Sequence, residues 1–163
     1  MRNMMTGFAG LVGILIVLAV AFAVFVRVAP SDPVRWHVDP VTVEPPGFPG
    51  AVLMRPGGDG MDSPRFDMSP DALMAAFDRV ARASPRVTVL AGSVDDRHVT
   101  YIARSALFGF PDYITVRALP DGDGARLAVV SRLRFGYDDM GVNRARLEGW
   151  LARIDDAVPM PGA

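Results

Sequence analysis

The sequence predicts an α+β protein: a single N-terminal transmembrane helix, then a four-stranded antiparallel sheet flanked by two helices. Three observations carry this. Residues 7–28, GFAGLVGILIVLAVAFAVFVRV, hold no charge, no proline and no strongly polar side chain before Arg27. A helix of that length spans roughly 30 Å, the thickness of a bilayer's hydrocarbon core. Two later stretches, near 70–82 and 142–156, repeat apolar residues at helical spacing. Between them four runs alternate apolar and polar residues, with turn formers separating the runs.

The anchor segment is 1–28. Arg2 and the terminal amine make a short positive region, and Ala21-Phe22-Ala23 has the small-x-small form of a signal-peptidase site. The apolar run continues through Val24, Phe25 and Val26, longer than an ordinary signal core. The expectation is an uncleaved signal-anchor, with a cleaved signal as the alternative. Arginines on both sides leave the positive-inside rule nearly neutral. The C-terminal domain is placed in the periplasm because a short leader of this kind usually exports the chain behind it.

Residues 29–68 are dense in proline and glycine, which forbids long helices and disfavours central strands. Yet Trp36, Val38, Val41, Val43, Phe48, Val52, Leu53 and Phe66 are too apolar for a disordered linker. The segment reads as extended chain wrapping the domain, with 51–55 as a candidate edge strand.

The domain itself is expected over 69–158. Ser69 suits a helix cap, Pro70 a first turn, and Asp71 the positive end of the helix dipole. Leu73, Phe77 and Val80 form the buried stripe, and Pro85 stops the helix. Strands come next at 86–91, 97–104, 113–119 and 125–135. Val99, Tyr101 and Ala103, Ile114, Val116 and Ala118, and Leu127, Val129 and Ser131 point to one face. Arg104, Tyr113, Thr115, Arg117, Val130, Arg132 and Arg134 point to the other. A last helix runs from 141–143 to about 156 and buries Leu147, Trp150, Leu151 and Ile154. Residues 159–163 form a tail.

Composition narrows the function classes. With 17 basic and 18 acidic residues the net charge is −1, against a general nucleic-acid binder. Every basic residue is arginine. The absence of cysteine excludes disulfides, thiolate metal sites, cysteine nucleophiles and a lipidated cysteine.

Two elements are distinctive: Arg104-Ser105-Ala106-Leu107-Phe108-Gly109-Phe110-Pro111-Asp112, and Ser131-Arg132 followed by Tyr137-Asp138-Asp139-Met140-Gly141-Val142-Asn143-Arg144. Together they resemble the DUF1499 family of uncharacterised bacterial and plastid proteins, over roughly 69–154. The resemblance implies a structural role for Phe108, Gly109, Asp112, Asp139, Gly141, Asn143 and Arg144, and membrane attachment or export; it implies no activity. Many members carry an early Pro-Asn-Cys-Val-Ser-Ser segment, where this chain has Pro49-Gly50-Ala51-Val52-Leu53-Met54, so no role of that cysteine carries over.

No residue set stands out as catalytic, and no cofactor or metal is expected. His37 and His98 lack metal-ligand spacing. Asp121-Gly122-Asp123-Gly124 begins like a calcium loop but continues with Ala125 and places Arg132 where the bidentate glutamate belongs. It reads as a hairpin turn, as does the glycine-rich stretch at 57–60, which lacks the Gly-Lys-Ser/Thr of a phosphate loop. The carboxylate pairs Asp138-Asp139 and Asp155-Asp156 read as caps or arginine acceptors.

The remaining constellation is the arginine face. Arg104, Tyr113, Arg117, Arg132 and Arg134, with Tyr137 and Asn143 near the start of the last helix, form the candidate ligand site, since arginine forks and helix N-termini suit anions. The alternative is that these arginines pair with Asp112, Asp138 and Asp139 and pin loops to the sheet. Three functional readings remain open. The first is a non-enzymatic membrane-anchored envelope module for a small anionic or lipid ligand. The second is a structural subunit whose Trp36, Phe48, Phe108 and Phe110 face a membrane-protein partner. The third is an enzyme of unfamiliar type using arginine and aspartate.

Overall fold

The computed structural model describes residues 2–58 and 60–154. Asp155, Asp156 and the predicted tail lie outside the described residues; the last helix, predicted to reach about 156, ends at Leu151, with a turn at 152–154. Helix α1 (Arg2–Val28) is continuous, and its Gly10–Val28 stretch is long and apolar enough to cross a membrane. The segment after it contains a one-turn helix, α2 (Pro33–Trp36), and two short strands, β1 (Val52–Met54) and β2 (Arg65–Phe66). Then come α3 (Pro70–Arg82), β3 (Val87–Ser93), β4 (His98–Arg104), β5 (Pro111–Asp121), β6 (Gly124–Leu133) and α4 (Val142–Leu151).

The sheet is antiparallel, ordered β1-β6-β5-β4-β3, with β2 also paired to β6. Six strands therefore stand where the sequence predicts four. The cause is the outer edge of β6: ten residues long, it would leave a row of unpaired backbone groups. Val52–Met54 and Arg65–Phe66 are short runs between prolines and glycines, and they pair along successive parts of that edge. The predicted edge strand at 51–55 is β1.

Alternation decides the two faces. Val99, Tyr101, Ile114, Val116, Leu127 and Val129 meet Leu73, Met74, Phe77 and Val80 of α3 and Leu147 and Trp150 of α4 in the main core. Phe77 and Tyr101 pack on the Trp150 ring at centroid distances of 5.5 and 6.2 Å. The polar atoms of this core find partners: Trp150 Nε1 donates to Ser84 Oγ at 2.8 Å, and Tyr101 Oη donates to Asp78 at 2.8 Å. Burial and that carboxylate raise the tyrosine's pKa. Ser69 caps α3 as predicted, accepting from the Ala72 N–H at 3.2 Å.

The other face carries Leu90, Ile102 and Tyr113, and it is covered by Trp36 of the wrapping segment. The wrapping segment thus takes the place of a third helix on this side of the sheet.

Candidate functional site

Three groups of residues hold the candidate site residues, on both faces of the sheet. The first is the arginine face. The register sets Tyr113 opposite Arg132 and Thr115 opposite Val130, as the alternation predicts. The chain itself lies across these residues. Trp36 stacks on Tyr113 with centroids 3.9 Å apart and planes 10° from parallel. The Trp36 carbonyl accepts from Thr115 Oγ1 at 3.1 Å and from Arg132 Nη2 at 2.9 Å. Arg134 Nη1 donates to the carbonyls of Ala29 and Pro30, at 3.3 and 2.8 Å, and to Tyr113 Oη at 3.1 Å. Arg117 pairs with Asp39 at 2.5 Å.

These arginines do not take Asp112, Asp138 or Asp139 as partners. The reason is geometric: Asp112 points to the opposite sheet face, where it meets Arg146, and the other two carboxylates accept backbone N–H groups at the start of α4. Arg35, absent from the predicted set, joins the face instead. Its guanidinium and that of Arg132 lie 5.0 and 5.1 Å from the Trp36 ring centroid. Arg132 Nε is buried without a hydrogen-bond partner. Burial, and then Arg35, lower the Arg132 pKa.

The second group is a polar clamp under α4. Asp139 accepts from the N–H groups of Gly141 (3.0 Å) and Asn143 (2.6 Å), while Asp138 accepts from the Met140 N–H at 2.9 Å. Met140 and Gly141 both have positive φ, 54° and 83°, a backbone that glycine adopts cheaply. Buried Asn143 accepts from Ser131 Oγ at 2.8 Å, donates to the Gly50 carbonyl at 3.1 Å and also accepts from Arg146. Arg146 completes the clamp by pairing with Asp112 at 3.2 Å. Asp112 is only 7% exposed, and burial raises its carboxyl to about 6 against the opposing pull of Arg146.

Asn143 therefore sits on the helix side of the sheet, away from Arg132. Tyr137 is exposed and contributes its carbonyl, which accepts from the Gly50 N–H. Arg144 is exposed and lies 3.7 Å from Glu148. Arg104 turns back to the Gly109 carbonyl at 3.0 Å. Arg146 is absent from the predicted set, although its position three residues after Asn143 puts both on one helix face.

The third group is a groove of about 720 Å³ between the end of α1, the 105–110 loop and the start of α4. Its apolar walls are Phe22 of α1, Phe108 and Phe110 of the loop, Phe135, and Met140 and Val142. Phe22 meets Phe110 and Phe135 edge-on at 6.1 and 6.4 Å. Arg86 and Arg104 stand along one side, and the Asp112–Arg146 pair lies at the bottom. Arg27 of α1 donates to the Leu107 carbonyl at 2.9 Å, fixing the loop to the helix. A Cβ on Gly109, where φ is +75°, would stand 3.1 Å from the Arg27 stem. The motif residue Gly109 thus belongs to the contact with α1, Phe108 lines the groove and packs on Phe110, and Asp112, Asp139, Gly141 and Asn143 belong to the clamp.

The chain matches the model of the DUF1499 family, described as a protein of unknown function, over residues 37–154. It belongs to that family. No curated protein and no solved structure matches it.

Proposed function

We propose that this is a membrane-anchored, non-enzymatic lipid-binding module whose groove takes an acyl chain from the leaflet beside α1. The observation that carries the reading is Phe22 in the groove wall. Phe22 lies six residues before Val28, the end of α1, which at 1.5 Å per residue is about 9 Å inside the helix end. With Gly10–Val28 across a bilayer, that depth is acyl-chain territory, so a lipid chain reaches the groove without crossing water. The volume and aromatic walls suit a small-molecule site. Of the predicted candidates, Arg104 stands beside this groove; Arg132 and Arg134 spend hydrogen bonds on the wrapping segment instead. The raised Asp112 carboxyl faces an arginine rather than a nucleophile, which favours binding over catalysis.

The test is photocrosslinking of the full chain in nanodiscs containing a diazirine-bearing phosphatidylcholine. The reading expects adducts on the inner groove residues Ala103, Asp112 and Leu133 as well as on α1, with Ala106→Trp removing the former and sparing the latter. Adducts confined to α1 and the exposed rim residues Leu107, Phe108, Met140 and Val142 overturn it, and in that case a protein partner becomes the better occupant of the groove.

A further inference from the structure

Around the groove mouth stand four apolar side chains that the fold leaves in the open: Leu107 at 74% exposure, Phe108 at 48%, Met140 at 94% and Val142 at 50%. Single exposed hydrophobic residues need no explanation, but a cluster rimming one groove does. These are not side chains of loose loops. The 105–110 loop is closed by Ser105, whose N–H donates to the Phe110 carbonyl at 3.0 Å and whose Oγ accepts from the Phe110 N–H at 3.0 Å. The Gly109 N–H adds a bond to the Ser105 carbonyl at 3.2 Å. Met140 is presented by a turn in which Asp138 and Asp139 hold successive backbone N–H groups. Both tips are therefore pre-ordered in conformations that turn apolar groups outward.

Their level relative to α1 is fixed as well. Arg27 ties the Leu107 backbone to the last turn of the helix, and Phe110 and Phe135 touch Phe22, roughly 8 Å further into the apolar run. The Arg27 guanidinium also donates to the Ala23 carbonyl at 3.1 Å, further into the apolar run, so the Leu107 backbone lies level with the last turns of α1, with Phe110 and Phe135 deeper.

We infer that Leu107, Phe108, Met140 and Val142 dip into the same leaflet that α1 crosses, making a second attachment that holds the groove mouth open to lipid. This rests on α1 crossing the bilayer, as in the reading above. It does not require the groove to be filled.

The chain has no native cysteine, so single cysteines report depth cleanly. Full-length Leu107→Cys and Met140→Cys carry bimane in liposomes containing lipids with a doxyl quencher near the headgroup or near the chain end. Val17→Cys in α1 and Asp123→Cys at the far β5–β6 turn serve as references. Bimane at 107 and 140 is expected to lose fluorescence with the headgroup-proximal quencher, Val17→Cys with the deep one, and Asp123→Cys with neither. Quenching at Val17→Cys while 107 and 140 behave like 123 overturns the second attachment and leaves the anchor standing. No quenching at Val17→Cys overturns both. Dipping at 107 and 140 without groove crosslinks supports this inference and overturns the acyl-binding reading alone.

Discussion

Asn143 shows how one side chain fastens a helix. Its buried amide joins the β6 side chain Ser131, the Gly50 carbonyl of the wrapping segment and the half-buried Arg146 of its own helix. Removing a buried hub of this kind leaves its polar partners unsatisfied. Asn143→Ala is therefore expected to lower stability by about 1–3 kcal/mol in urea melts of the detergent-solubilised chain; an unchanged midpoint contradicts the clamp. Asp112 gives a pH signature. Its folded-state carboxyl titrates near 6, above its ordinary value, so the folded state binds that proton more tightly than the unfolded chain. Its contribution to stability is then highest in acid and falls as pH rises through the window from about 4 to about 6. Relative to Asp112→Asn, the native chain should lose stability across that window; a difference that is flat with pH refutes the assignment. Asp139 is legible as a cap because a carboxylate ahead of a helix suits its free N–H groups. The acceptors of Arg132 and Arg134 are not, since all but Tyr113 Oη are backbone carbonyls, which every residue carries.

At the scale of elements, the helices and the four long strands follow from periodicity, and the start of α3 from Ser69 and Pro70. Ser69→Ala should cost about 1 kcal/mol, read from the same melts. The wrapping segment is legible as extended and apolar, but its path is not. Only the fold brings Trp36 onto Tyr113, because the two are joined by no local spacing. Trp36 is the centre of this strap: its ring packs on Tyr113 and its carbonyl holds Thr115 and Arg132. Trp36→Ala is expected to cost about 3–5 kcal/mol and to speed hydrogen exchange at residues 29–39 well before the β5–β6 core. Uniform exchange across both would contradict a separable strap. Of the two extra strands, β1 is legible as a candidate edge strand and β2 is not, because it is too short to show alternation; β6's unpaired edge recruits both.

At the scale of the whole molecule, the apolar helix and the domain are one arrangement rather than a tether and its cargo. Phe22, Phe25 and Arg27 contact the domain through Phe110, Phe135 and Leu107, so the apolar helix supplies a wall of the groove. No sequence pattern announces that wall: Phe22 is far from Phe110 and Phe135 along the chain, and each half reads separately as membrane helix or as loop. The arginine face is visible in the sequence because its charges recur at strand spacing, whereas the groove's Phe108 and Phe110 read as a partner-facing pair and its Phe22 as part of the membrane helix. The most direct measurement is native mass spectrometry of the full chain, extracted gently from membranes, beside Ala106→Trp. The account predicts a retained phospholipid mass on the native chain that is lost from the variant while its fold persists. A bare chain mass, or a lipid adduct equally retained by Ala106→Trp, would contradict it.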